Sequence, residues 1–398
     1  MIGPMIGRTV RLLGVLLLLL TAASCSSPAS PTSVAPIKVG AIYNLTGAQA
    51  SLDVPSANGA QLAIKQINAA GGVLGRTVEL VLYDGNTDAD TIRQAATKLV
   101  EDDRVVALIG FSDTDQVLAA APVAKKAGIP FITSGASSPK LPAQVPGVLF
   151  LACFGDNTQA AAGAEFAYSR LKARNVYLLV DSSMEYARLL AGYFKESFLQ
   201  LGGQIVLEDT FTSGSKDFTP QISKLKALAI APDLLYIACG PQDAGWVIDR
   251  LAQAGFNQLA MGGDSFDSTE LPAVGGVAAE DTNCTMHGYL KMGSIRESTR
   301  IFVKDYRAMF GHEPENAFAG LGYDAVQLLA DAVRRAGTVD AAPLLAALQA
   351  TQGLEGVTGT ISYPSSSRIP SKSVTLLRVL AGQLTWAWEI TSTQVPAP

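Results

Sequence analysis

The chain is poor in the residues on which most catalytic and metal chemistry depends. Among its 398 residues are two histidines, His287 and His312, and four cysteines. Neither histidine has an acid or cysteine cluster beside it in sequence, and no CxxC pair occurs, so no zinc site is indicated. A GxSxG elbow and a glycine-rich GK phosphate loop are also missing, which removes the parts that hydrolase and nucleotidase templates need. No enzyme activity, metal or cofactor is expected, and both histidines read as surface or core residues. Charge is sparse as well: 16% of residues are charged and the net charge is −5. Phosphate binding needs a basic surface, so a nucleic-acid partner is excluded.

Apolar material is plentiful, at 48% of a length that suits two cores rather than one. One apolar run stands outside both. Arg8 and Arg11 precede Leu12 to Leu20, and small residues follow, the order of an export signal. The run is too short to span a membrane comfortably, and no later run is long and charge-free enough to do so. Removing residues 1–24 takes away those two arginines and no acid, which moves the net charge from −5 to −7. Cys25 resembles the lipidated cysteine of bacterial lipoproteins, with Ala22-Ala23-Ser24 in the lipobox positions and Ala22 where leucine is usual. Attachment to the membrane through a lipid on Cys25 is therefore expected, with residues 25–36 as a flexible tether. Cys153, Cys239 and Cys284 are odd in number. Buried thiols are the expectation, with one disulfide left open in an oxidising compartment.

From residue 37 onward, short β-rich runs alternate with amphipathic stretches of helical length. Strands are expected at 37–43, 77–84, 105–110 and 130–134, with helices near 56–70, 89–102 and 116–127 between them. Asp88 is a plausible cap for the second helix. The pattern restarts after Asp156, with strands at 176–181, 204–209, 233–239 and 258–264 and helices near 186–201, 217–229 and 243–254. Strand then helix, repeated, means a parallel sheet covered on both faces. Three helices follow, near 299–310, 316–336 and 341–350, then two β-type runs at 373–380 and 384–390. GLGYDA (320–325) fits a dinucleotide motif superficially, but it follows no strand and lies inside a helical pattern. Close helix packing is the better account. In open α/β sheets ligands bind beyond the carboxyl ends of the strands, and two such edges facing across hinges make a cleft that closes.

These stretches resemble the type I periplasmic solute-binding proteins, in particular the branched-chain amino acid-binding (leucine/isoleucine/valine-binding) class of ABC importers. The resemblance runs from IKVGAIYNLTG (37–47) through GAQLAIKQINAAGGVLGRTVELVLYD (59–84), VALIGFSDTDQVLAAAPVAKKAGIPFITSGASSPKL (106–141) and KDFTPQISKLKALAIAPDLLY (216–236) to AFAGLGYDAVQLLADAV (317–333). It implies an α/β fold of two doubly wound parallel-sheet lobes joined by three crossovers. One lobe would be residues 37–155 with 288–363, the other 156–287 with 364–396. It further implies an extracytoplasmic protein that captures a small amino acid-like ligand and hands it to ABC permease subunits. A sensor subunit serving a signalling receptor, or a binder of an amide or aromatic acid, is the alternative.

By the same resemblance, a ligand carboxylate would sit on Thr114, in GFSDTDQ, and on Gly135 and Ser137, in ITSGASS. Hydroxyls and helix N-termini can hold an anion without a paired lysine or arginine. Asp264, in AMGGDS, would meet the ligand's ammonium, and Tyr186 would close over it. Leu52 and Gly240 stand where aromatics line the side-chain pocket of branched-chain binders. Glycine at 240 implies added volume there. If the leader and Cys25 act as read, Cys25→Ser releases the protein from the membrane or leaves it unprocessed. Mass spectrometry of the mature N-terminus checks this, and an unmodified terminus at another residue would contradict it.

Overall fold

The computed structural model describes Met1, residues 35–364 and residues 366–398. The export signal, Cys25 and the tether as far as residue 34 lie outside the described residues. The first half of the chain runs β1 (Ile37–Tyr43), α1 (Ala50–Ala69), β2 (Val78–Asp84), α2 (Ala89–Glu101), β3 (Leu108–Gly110), α3 (Thr114–Ala127), β4 (Phe131–Thr133), α4 (Leu141–Gln144) and β5 (Leu149–Leu151). Then come α5 (Asp156–Ser169), β6 (Asn175–Asp181), α6 (Glu185–Gln200), β7 (Gln204–Phe211), α7 (Thr219–Lys226), β8 (Leu234–Ala238), α8 (Pro241–Gln253), β9 (Leu259–Gly262), α9 (Glu270–Gly275) and β10 (Asn283–Met286). The last part holds α10 (Glu297–Phe310), α11 (Phe318–Ala336), α12 (Ala341–Gln349), the short β11 (Leu354–Gly356) and β12 (Gly359–Ile361), and the hairpin β13 (Val374–Leu380) and β14 (Gln383–Ile390).

Two large sheets result. The first has the order β2-β1-β3-β4-β5 and is wholly parallel. The second has the order β14-β13-β10-β9-β8-β6-β7, parallel apart from β13 and β14, which run antiparallel to their neighbours. The α/β class with two doubly wound, mainly parallel lobes is as expected. After β10 the chain returns to the first sheet, because α11 packs on α1 and touches β3 and β4. It crosses back before β13, so the lobes are joined three times. Lys372, in the last crossing, ties these passages together: its buried ammonium donates to the Ala152 carbonyl and to Thr358 Oγ1, both at 2.9 Å.

The strand edges matter most for function. Ile42 pairs with Gly110, Gly110 with Thr133 and Thr133 with Leu151, so four successive loops leave the first sheet at one level. Helix starts follow local chemistry. Asp88 caps α2 by accepting from Thr91 N at 2.8 Å, as expected. The third helix starts two residues before the expected Gln116, because Asp113 caps it by accepting from Asp115 N and Gln116 N. Helix α5 escaped the periodicity because it is buried on nearly every side and shows no polar stripe.

GLGYDA lies within α11, where its glycines allow the backbone of α1 to approach. A Cβ on Gly322 would stand 1.9 Å from the Ser56 carbonyl oxygen, and one on Gly59 1.7 Å from that of Ala319. The obstructing atoms are backbone and cannot rotate away. Gly322→Ala is therefore expected to destabilise the protein by about 1–3 kcal/mol, the usual cost of overpacking. Urea unfolding midpoints check this; an unchanged midpoint would contradict the packing assigned to the two helices.

Candidate functional site

At the edge of the first sheet, β3 ends in Gly110 and the chain turns through Phe111, whose φ of 64° is rare for a side-chain-bearing residue. That turn directs Ser112, Asp113 and Thr114 into the start of α3. The next loop is tied to it, since Gly135 N donates to the Phe111 carbonyl at 3.0 Å. Gly135 is required by Phe318 of α11, whose ring carbon would lie 2.7 Å from an added Cβ. Ser137 follows, and its carbonyl accepts from Asp156 N at 2.7 Å. Thr114, Ser137 and Asp156 are all buried. Thr114 Oγ1, Ser137 Oγ and Asp156 Oδ2 have no partner of hydrogen-bond geometry among the described residues. Buried polar atoms are seldom left in that state unless a ligand or water meets them.

The second sheet contributes a network centred on Gln159, in the first turns of α5. Its Nε2 donates to Asp156 Oδ1 at 2.8 Å and to Asp264 Oδ1 at 3.2 Å. Its Oε1 accepts from Thr285 Oγ1 at 2.8 Å and from Asp264 N at 3.3 Å. Asp264, just after β9, is engaged on both oxygens: Tyr186 OH donates to Oδ1 at 2.7 Å, and His287 Nε2 lies 2.8 Å from Oδ2. The His287 ring lies over Phe154 with centroids 3.9 Å apart and meets Phe318 edge-on at 6.1 Å.

Burial governs the charges here. Burial first, then the Asp264 charge, pushes Asp156 up to about 8, against the Ser137 and Gln159 side chains, which lower it. Burial and Asp115 raise Asp113 to about 7, and burial raises Asp53 to about 6. His287 is lowered by burial, against the pull of Asp264, so its imidazole is neutral near pH 7. Tyr186 is held well above its ordinary value by burial and by Asp264, and acts as a donor.

Of the residues singled out from sequence, Ser137 lies beside Asp156, Thr114 opens the neighbouring helix, and Tyr186 and Asp264 are bonded to each other. Leu52 is buried in the first lobe's core. Two of these residues gain neighbours that the sequence did not show. The volume foreseen at Gly240 is taken in part by Met184, whose sulfur lies 3.3 Å from where a Cβ would be. His287, read as an ordinary surface or core histidine, is the buried partner of Asp264. His312 is exposed, as foreseen, with Nδ1 3.7 Å from Glu315 Oε1. Cys153, Cys239 and Cys284 are buried and free, and no group of acids, histidines and cysteines suited to a metal occurs among the described residues. The residues missed are Asp156, Gln159, Phe154 and Phe318. The first had a signal: an apolar run ending in Gly155-Asp156 repeats the pattern of the run ending in Gly110 before Ser112 and Asp113.

Two lobes with strand edges meeting over buried, unmatched polar groups define a protein that encloses a small solute. The sequence profile of a family described as periplasmic binding protein matches residues 36–383. The chain belongs to that family, as a solute-binding protein of the ABC-transporter type and not an enzyme. A Leu/Ile/Val-binding protein homolog of Brucella melitensis is 28% identical over 345 residues, covering 86% of this chain and 91% of the relative. The isoleucine complex of a branched-chain amino acid transporter substrate-binding protein from Streptococcus pneumoniae superposes with a TM-score of 0.83 at 28% identity, over 90% of this chain and 100% of that one. A Rhodopseudomonas palustris solute-binding protein in complex with 3,4-dihydroxybenzoic acid gives a TM-score of 0.78 at 25% identity, over 91% and 99%. The family is extracytoplasmic, and no helix among the described residues is long and apolar enough to cross a membrane.

A raised Asp156 binds its proton in the folded protein over a range where the unfolded chain, at about 3.8, has lost it. Its stabilising contribution is present at low pH and lost as pH rises through about 8. Asp156→Asn should therefore flatten the fall in thermal midpoint between about pH 5 and about pH 8.5. Asp113 and Asp53 still titrate in the variant, so part of the slope persists. A slope as steep as wild type would contradict the burial of this carboxyl.

Proposed function

We propose that the protein captures an amino acid or close analogue between its lobes and delivers it to an ABC permease while anchored through lipidated Cys25. Residues 25–36 serve as the tether. The lobes that close are 37–155 with 288–363 and 156–287 with 364–396. The ligand's carboxylate meets the hydroxyls of Thr114 and Ser137, the Gly135 loop and the start of α3, whose free N–H groups favour an anion.

Its ammonium meets Asp156. The observation that carries this assignment is the contrast between the two buried carboxyls: both oxygens of Asp264 are taken by Tyr186, Gln159 and His287, whereas Asp156 Oδ2 has no partner of full hydrogen-bond geometry among the described residues, only the Ser137 hydroxyl beside the carboxyl. Asp264 lies behind Gln159, and Tyr186 donates to it. The names of the relatives support an amino-acid ligand, and the side-chain pocket is bounded by Leu52 and by Met184 over Gly240.

A second possibility is favoured by one comparison. The Rhodopseudomonas palustris structure carries an aromatic acid, and an acid without an ammonium would use Thr114 and Ser137 but leave Asp156 protonated. Titration calorimetry separates the two, with leucine as first probe followed by the other amino acids, amides and benzoates. For an ammonium-bearing ligand, Asp156→Asn should cost about 2–5 kcal/mol, and Thr114→Val roughly 1–3 kcal/mol. Undiminished binding in Asp156→Asn together with loss in Thr114→Val would exclude an amino acid and favour the aromatic acid. A sensing role in place of import predicts that loss of the permease leaves the ligand response of the cell intact.

A further inference from the structure

The two lobes touch at several places other than the ligand groups, some exposed and some buried. Glu185 at the start of α6 meets Asp115 and Gln144 of the first lobe, through Glu185 N to Asp115 Oδ2 and Gln144 Nε2 to Glu185 Oε1, both at 3.2 Å and exposed. Such contacts exchange readily with water and contribute little. A buried contact at a helix start is of another kind. Asp267 lies between β9 and β10 of the second sheet, and its Oδ2 accepts from Ala317 N at 2.7 Å. Ala317 is the residue from which α11 starts, and α11 packs on α1 in the first lobe. Alanine offers no side-chain cap of its own. The start of this helix is thus satisfied in part by a carboxyl from the opposite lobe.

We propose that Asp267 is a closure latch: by capping α11 across the cleft, it stabilises the ligand-enclosing arrangement and so sets affinity without touching the ligand. A buried carboxyl at a helix N-terminus gains from the exposed N–H and from the helix dipole. Both gains vanish when the lobes part, so the energy is specific to the closed form. Burial pushes Asp267 up to about 7 against the Ala317 N–H; of the charged groups facing it, Lys291 favours the charged carboxylate and Asp264 opposes it. Lys291 is steadied by the Pro314 carbonyl at 3.2 Å and by Glu313 at 3.8 Å. Asp267, Lys291, Glu313 and Ala317 line a cavity of about 610 Å³ whose walls come from both lobes. Apparent affinity scales with the fraction of protein able to close. Losing a cap therefore translates into a weaker ligand complex even though every ligand contact remains.

This inference rests on the two-lobed binding function proposed above, and two measurements keep the two separable. Hydrogen exchange at the Ala317 amide needs no ligand: it should be protected in wild type, at least tenfold faster in Asp267→Ala and intermediate in Asp267→Asn, which keeps an acceptor but not the charge. The Leu328 amide, in the middle of α11, should not change. Stopped-flow dissociation of leucine should then be roughly 2–30-fold faster in Asp267→Ala, the range that a lost cap corresponds to, with the association rate nearly unaltered. An Ala317 amide that exchanges at random-coil rate in wild type overturns the latch. So does an unchanged dissociation rate in a variant whose Ala317 amide has become exposed, since Asp267 would then only cap the helix. If leucine does not bind wild type, the amino-acid proposal is in question, while Ala317 exchange still decides whether the contact forms.

Discussion

Two aspartates that share one glutamine side chain, away from water, set the conditions for everything around them. Asp156 starts α5 and Asp264 follows β9, and Gln159 Nε2 reaches both. Two carboxylates this close and this buried cannot both be charged without compensation. Asp264 is compensated from within, by the Tyr186 hydroxyl, the Gln159 amide and the His287 ring. Asp156 has one full hydrogen bond, from Gln159 to Oδ1, and the Ser137 hydroxyl beside it. Burial and the Asp264 charge push Asp156 up to about 8, so it keeps its proton near neutral pH. The exits of β3 and β4 offer the opposite arrangement, hydroxyls and the N–H groups of a helix start.

The fold makes this arrangement possible through register rather than through any single loop. Parallel strands pair so that Ile42, Gly110, Thr133 and Leu151 lie side by side, which brings the loops carrying Ser112 to Thr114, Gly135 to Ser137 and Asp156 to one edge. In the second sheet, β9 and β10 end side by side, Gly262 paired with Cys284, and this places Asp264 within reach of His287. The returning helix α11 completes the first lobe: its glycines admit α1, and Phe318 at its start packs on Gly135 and against the His287 ring. The same helix start receives Asp267 from the other side.

Much of this was legible in the sequence, for physical reasons. Alternating apolar runs and amphipathic helices expose their period, so the two parallel sheets, the Asp88 cap and the packing role of GLGYDA could be read directly. Thr114, Ser137, Tyr186 and Asp264 came from resemblance, and all four are buried around the meeting strand edges. What stayed hidden depends on tertiary contact. Helix α5 has no polar face to reveal it, so in the sequence Asp156 reads as a boundary and Gln159 carries no signal. His287 and Asp264 are 23 residues apart with α9 between them, and nothing local distinguishes that histidine from one in any core. The space at Gly240 could not be judged without Met184, which comes from the start of a different helix.

The central claim is that a small ligand brings the two lobes together because each lobe holds part of it. Small-angle X-ray scattering with and without the tightest-binding amino acid tests this most directly. The radius of gyration should fall on saturation and return when the ligand is dialysed away. An unchanged radius in a sample shown by calorimetry to be fully bound would mean that the ligand sits on one lobe alone, and the account of a bridging ligand would be wrong.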